Sequence, residues 1–175
     1  MELVILGAGQ YGQLAKEIAE SLGYTVKFLD DNYNACNNIK GLLSDWQNYN
    51  CSFFVAIGDS SIRLKWLDRL EEAGKQIATL ISKQAYVSPS AKLGVGTIIE
   101  PLAAVSTGSV IGNGVIICAG AVINHNSFVG DGCQIDGNAT VTARSNLPAG
   151  LKINAGTVWR ETVCTPVKYD FDAVM

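Results

Sequence analysis

Only one histidine, His125, occurs among the 175 residues, in the run Ile123-Asn124-His125-Asn126. An imidazole titrates near neutral pH and can take up and return a proton during a reaction. Without further context a lone histidine reads first as a surface residue. A second run able to do chemistry is Gly7-Ala8-Gly9-Gln10-Tyr11-Gly12, which fits G-x-G-x-x-G. Such glycines let a backbone approach a phosphate, which amide groups and a helix N-terminus then hold. Asp30, followed by Asp31 at the end of the next apolar run, stands where a ribose hydroxyl would be bound. Gly58-Asp59 closes a third apolar run. The plainer reading is that the glycines permit a tight strand-to-helix turn and the aspartates begin a solvated loop.

These residues need elements to hold them. Residues 2–6 form an apolar strand that runs into the glycine-rich loop. A helical segment follows over 10–22, with Leu14, Ala15, Ile18, Ala19 and Leu22 on one side and a stop at Gly23. Residues 24–29 read as a second strand, 42–49 as a turn of helix and 52–57 as a third strand. Ser60 or Ser61 then caps a helix to about residue 73, and 77–81 form a fourth strand. Strands alternating with helices predict a small parallel sheet, an α/β N-terminal domain over residues 1–82. That is half of a full dinucleotide fold, so a mononucleotide fits better than NAD.

From Ile81 onward an aliphatic residue recurs every six positions: Ile81, Val87, Leu93, Ile99, Val105, Ile111, Ile117, Ile123, Val129, Ile135, Val141, Leu147, Ile153. Small or modest side chains stand four residues after each. Six is neither the helical period nor a plain alternation. It predicts an all-β parallel β-helix over residues 83–175, in which each hexapeptide gives a short strand and a corner and three make one coil. In this register His125 stands third in its hexapeptide, at a position that points outward. Trp159 falls in the aliphatic register and covers the last coil, and residues 167–171 pack back as a final strand or cap.

Composition narrows the function. The net charge is −3, with no basic run, which gives no reason to expect a nucleic acid partner. No apolar run approaches membrane-spanning length, and no leader precedes the first strand. The five cysteines lack a CxxC pair and read as reduced thiols of a cytoplasmic protein, with no metal site expected. Trp46 and Trp66 read as core anchors. Arg63 reads as a residue facing the nucleotide or as a surface charge.

The two-part layout, with the segments GAGQYG, FLDD, AIGDSSIRLK, LISKQAYVSPSA and VINHNSFVGDG, resembles the bacterial sugar O- and N-acetyltransferases of the hexapeptide-repeat superfamily, typified by sialic acid O-acetyltransferase and UDP-amino-sugar N-acetyltransferase. The resemblance implies that the N-terminal Rossmann-like domain binds a UDP-linked amino sugar. It also implies a left-handed β-helix that binds acetyl-CoA as co-substrate, and a homotrimer with sites between subunits. It makes His125 the general base, with Asn126 where the family often has a carboxylate. It assigns Gly7, Gly9, Tyr11, Asp30, Asp31, Gly58, Asp59 and Cys118 to the acceptor, and Gln134, Ala143 and Gly156 to the cofactor.

The departures concern ionisable groups. Asn126 can orient an imidazole but supplies no charge. Gln134 and Tyr11 stand where the family often has histidines, and Cys118 where some members have asparagine. The coil is also short, and Arg144, Lys152 and Arg160 are either solvated corner residues or contacts for CoA phosphates. Acetyl transfer to a sugar amine or hydroxyl in surface glycan biosynthesis is the expected function. A trimer that binds nucleotide sugars without catalysis is the competing one, and an NAD-dependent oxidoreductase a third.

Overall fold

A computed structural model describes residues 1–160 except 33, 37 and 38. The proposed strand at 167–171 therefore lies outside the described residues, as does Cys164.

The N-terminal part is a three-stranded parallel sheet of β1 (Glu2–Leu6), β2 (Thr25–Leu29) and β3 (Ser52–Val55), in the order β2-β1-β3. Period-two alternation sends β1 side chains to both faces, and both are covered. Leu3 and Ile5 pack with helix α1 (Gln10–Ser21) and Phe28. Val4 and Leu6 pack with Leu67 and Leu70 of helix α2 (Ser60–Glu72) and with Trp46 and Trp66, which are thus core anchors. Residues 43–48 make a 3-10 turn.

The structure departs from the sequence pattern at two places. The fourth strand is confined to Leu80–Ile81, and it pairs with Ile98–Ile99 rather than with β1–β3. Residue Ile77 makes only an isolated bridge to Phe53. The cap of α2 is Asp59, whose carboxylate accepts the Ile62 N–H at 2.9 Å, rather than Ser60 or Ser61. The Ser61 hydroxyl donates to that same carboxylate.

Leu80–Ile81 opens a parallel solenoid of about four coils. Its first face stacks Leu80–Ile81, Ile98–Ile99, Ile116–Ile117, Gln134–Ile135 and Lys152–Ile153. The second stacks Tyr86–Val87, Ala104–Val105, Val122–Ile123, Thr140–Val141 and Val158–Trp159. The third stacks Lys92–Leu93, Val110–Ile111, Phe128–Val129 and Asn146–Leu147. The second residue of each pair is the predicted aliphatic, and these residues fill the interior. Ala103, Val115, Ala121, Cys133 and Ala139 complete that interior at the corners. Trp159 packs against the last coil as expected, its indole N–H buried and without a partner among the described residues.

The two parts meet along one corner. Gly96, Gly114, Gly132 and Gly150, between the third and first faces, have φ of +67°, +60°, +67° and +73°. Helix α2 lies along them. A Cβ on Gly96 or Gly114 would stand 2.7 Å from a Leu67 methyl, and one on Gly132 2.9 Å from a Leu64 methyl. Successive coils are about 4.8 Å apart and a helix rises about 1.5 Å per residue, so each coil matches roughly three helical residues. Leu67, Leu64 and Ser60 keep that step.

Gly114→Ala meets both the left-handed φ and the Leu67 contact, and should lose about 2–4 kcal/mol of stability. Gly156, with φ +67° and open space around its Cβ position, should lose only about 1–2 kcal/mol as alanine. Urea denaturation of the two variants measures the difference. Equal losses would mean that α2 does not rest on that corner.

Candidate functional site

Two loops meet at the carboxyl ends of β1 and β3, where strand order reverses about β1. Such a switch point is where open parallel sheets bind ligands. The approach is close: a Cβ on Gly7 (φ +102°) would fall 2.7 Å from the Ala56 carbonyl, and one on Gly12 2.2 Å from the Gly7 carbonyl. Gly9, the N-cap of α1, has no side-chain cap, and space around its Cβ position is open. The first turn of α1 carries no acidic residue, so its amide end is electropositive.

Asp30 does not project freely beside this crevice. Its Oδ2 accepts the Ala8 N–H at 2.6 Å and its Oδ1 the Asn32 N–H at 2.7 Å. Asp31 accepts the Leu43 N–H at 3.0 Å. Both aspartates thus tie the glycine-rich loop and the loop after β2 in place. Asp59 is held as the α2 cap, and its hydrogen bonds from Ser61 and Ile62 keep the carboxyl below its ordinary range.

Arg63, read as a nucleotide contact or a surface charge, is not a surface charge. It is 1% exposed, buried with Leu67 and Leu70. The signal was present in its spacing, since 63, 67 and 70 form one helical stripe. Its five donors suit it to carbonyls that no leucine could satisfy.

Tyr11, on the first turn of α1, packs against the first solenoid face with Ile98, Ile116 and Cys118. Its hydroxyl is buried without a hydrogen-bond partner. Burial pushes its ionisation upward. Beside it lie Cys118 and Glu100, two groups also shifted by burial. The Cys118 thiol is pushed up to about 12, first by burial and then by Glu100 and Asp136, so it is a neutral thiol rather than a nucleophile. Glu100 is 6% exposed and accepts the Ala119 N–H at 2.9 Å. Burial raises its carboxyl above the ordinary range. The sequence reading did not include Glu100. Gln134 donates to Asp136 at 2.7 Å, and Lys152 pairs with Asp136 at 3.3 Å.

His125 stands elsewhere. It lies with Asn126 at the exposed corner between the second and third faces. That corner is opposite the first face, which carries α1 and Cys118. Asn126 takes φ +56°, which asparagine tolerates. Its backbone N–H donates to the Thr107 carbonyl at 2.9 Å, and its carboxamide Nδ2 lies 3.2 Å from His125 Nδ1. Ala143 sits one coil on, and the Arg144 N–H donates to the His125 carbonyl at 3.0 Å. Gly156 lies at the corner between the first and second faces (φ +67°). Within one chain, therefore, His125, Asn126 and Ala143 share one corner. Tyr11, Cys118 and Gln134 lie toward the first face, with Gly156 at its edge.

Glu100 makes stability pH-dependent. Its native ionisation is raised, so its contribution is full below the unfolded value of about 4.3 and is lost as pH rises through the native one. Glu100→Gln keeps an acceptor for Ala119. The melting temperature of this variant should exceed that of the parent at neutral pH and vary less with pH. An unchanged thermal profile would show that Glu100 is solvated.

A family model, the PglD N-terminal domain, matches residues 2–70. The acetyltransferase domain of PglB from Neisseria gonorrhoeae FA1090 is 26% identical, over 91% of each chain, with a TM-score of 0.81. A second structure of that domain, in complex with acetyl coenzyme A, is 27% identical over 90% of this chain and 83% of that one, with a TM-score of 0.76. A histidine-to-asparagine variant of perosamine N-acetyltransferase from Caulobacter crescentus, in complex with CoA and GDP-perosamine, is 26% identical over 90% and 85%, with a TM-score of 0.71. These likenesses agree with the motifs in both halves of the chain. It is an acyltransferase, similar to the bacterial sugar acetyltransferases of the hexapeptide-repeat superfamily.

Proposed function

We propose that the protein moves an acetyl group from acetyl-CoA to an amine or hydroxyl of a nucleotide-linked sugar in surface glycan biosynthesis, as a cytoplasmic homotrimer with His125 as general base. In this reading the three-stranded sheet is a Rossmann-like half fold and the solenoid is left-handed. The carrying observation is the exposed His125–Asn126 pair on the outer corner of a coil, in a chain similar to a domain solved with acetyl coenzyme A and to an enzyme solved with CoA and GDP-perosamine. Acetyl-CoA is the co-substrate.

The imidazole takes the proton from the acceptor N–H or O–H as that atom bonds to the thioester carbonyl carbon. The oxyanion formed is stabilised by turn amides. The C–S bond then breaks, and the imidazolium returns the proton to the CoA sulfur. For Nε2 to act as base, Nδ1 must carry the ring hydrogen and donate it. Asn126 serves that tautomer when its Oδ1 faces Nδ1. With Nδ2 toward Nδ1, as placed here, the hydrogen of the neutral ring is on Nε2. The carboxamide must therefore turn, a constraint that a carboxylate would not impose.

The separation of the two sets of residues supports the trimer in this reading. An acceptor held in the crevice by the β1 and β3 loops lies across the solenoid from its own subunit's His125, and a neighbouring copy would bring its own to it. The apolar residues Tyr86, Val122 and Val158 on the second face, with Phe128 around the corner from it, offer a surface for that copy. Residues Gln134 and Gly156 of one chain would then line the acetyl-CoA groove with His125 and Ala143 of the next. Tyr11, Cys118, Gly7, Gly9 and Gly58 line the acceptor crevice, while Asp30, Asp31 and Asp59 hold its loops.

Release of free thiol from acetyl-CoA, followed with a panel of UDP- and GDP-linked amino sugars, tests the reading. His125→Ala should lose about 10²- to 10⁴-fold in kcat. Asn126→Asp, which tolerates the same positive φ, fixes the tautomer and adds a charge, should raise kcat by roughly tenfold. No thiol with any acceptor, or equal turnover by His125→Ala, contradicts the acetyltransferase reading and favours a nucleotide-sugar-binding protein.

A further inference from the structure

We propose that Arg63 is a positioning residue, which fixes the acceptor-side loop after β3 to both ends of the coil that carries His125. Its Nη1 donates to the carbonyls of Ile57 at 2.7 Å and Gly58 at 2.9 Å. Its Nε donates to the Gly114 carbonyl at 2.7 Å and its Nη2 to the Gly132 carbonyl at 2.8 Å. Gly114 and Gly132 are the same corner one coil apart, and residues 114–132 make up the coil on which His125 stands. One guanidinium therefore holds the crevice loop, helix α2, and the start and end of that coil.

The charge makes this arrangement costly for stability alone. Among the described residues no carboxylate forms an ion pair with Arg63. Taking an ion out of water into a buried site is costly, and an apolar side chain of similar volume often serves stability as well or better. Leu64 and Leu67, its neighbours on the helix, already supply apolar packing on the same glycines. What a leucine lacks is direction. The guanidinium is a rigid planar fork whose donors lie at fixed angles, so four carbonyls from three segments are set relative to one another.

The inference rests on the acetyltransferase reading, because it makes Arg63 act on acceptor placement rather than on cofactor binding. A lysine offers three donors about one rotatable nitrogen and cannot span the same carbonyls. Arg63→Lys should keep its secondary structure and oligomeric state. Its KM for the nucleotide sugar should rise about tenfold or more, with its dissociation constant for acetyl-CoA unchanged within twofold. A purely structural arginine would instead lower thermal stability and affect both ligands in parallel.

The measurements are steady-state kinetics with the best acceptor, and calorimetric binding of UDP, GDP and acetyl-CoA to parent and variant. An unchanged acceptor KM in folded Arg63→Lys, or equal losses for both ligands, overturns the role of Arg63. If the parent binds acetyl-CoA but no nucleotide, the functional reading fails, and the inference with it. Should Arg63→Lys fail to fold, Leu64→Ala loosens the same helix at Gly132 and leaves the guanidinium in place. The same selective rise in acceptor KM is expected there, and its absence contradicts the inference.

Discussion

The placement of the crevice loops on the solenoid depends on the contact between helix α2 and a glycine-lined corner. Without Cβ atoms at Gly96, Gly114 and Gly132, Leu64 and Leu67 reach the backbone of successive coils. The rise of the helix keeps step with the rise of the coils, so the fit continues along the corner. Because the same helix begins at the Asp59 cap beside Gly58, the contact sets where the crevice loops stand relative to the solenoid. The Arg63 hydrogen bonds then fix the helix in direction as well as in distance.

From this contact follows the division of the site. The sheet is anchored over the first face through α1, Ile98 and Ile116, which leaves the opposite corner bare. His125 stands on that bare corner. The residues we assign to the acceptor and the His125 we assign to its activation lie on different surfaces of one chain, and our functional reading brings them together between copies. The buried ionisable groups near the first face, Tyr11, Cys118 and Glu100, are all held neutral or biased that way by burial. That face therefore presents polar groups biased toward their neutral forms.

Much of this was legible in the residues, because a solenoid repeats its constraints. The six-residue period placed each interior aliphatic, from Ile81 to Ile153, and set His125 outward. The strands and helices of the first part were readable from alternation and from glycine stops. What escaped were contacts between segments distant in the chain. Residues 80–81 look like a fourth sheet strand, yet Leu80 finds its partner in Ile98, eighteen positions on and part of the coil. Asp59 outcompetes two serines as the cap because its carboxylate reaches the Ile62 N–H from the residue just before the helix. Arg63 looked exposed by type, and only its place in the Leu67–Leu70 stripe told otherwise. Asp30 fits the ribose motif, but its oxygens accept Ala8 and Asn32 amides, a pairing that no local pattern announces.

In our functional reading one subunit's acceptor crevice works with another's His125, and complementation between defective subunits measures that pairing. Gly9→Glu adds charge at the amide end of α1, where the backbone φ of −64° and open space tolerate a side chain. It should abolish acceptor binding and leave His125 intact. His125→Ala has the opposite defect. Coexpressed as mixed trimers, the two should recover a substantial share of parent turnover, measured as thiol release. Activity no greater than the sum of the separate variants would contradict a site shared between subunits.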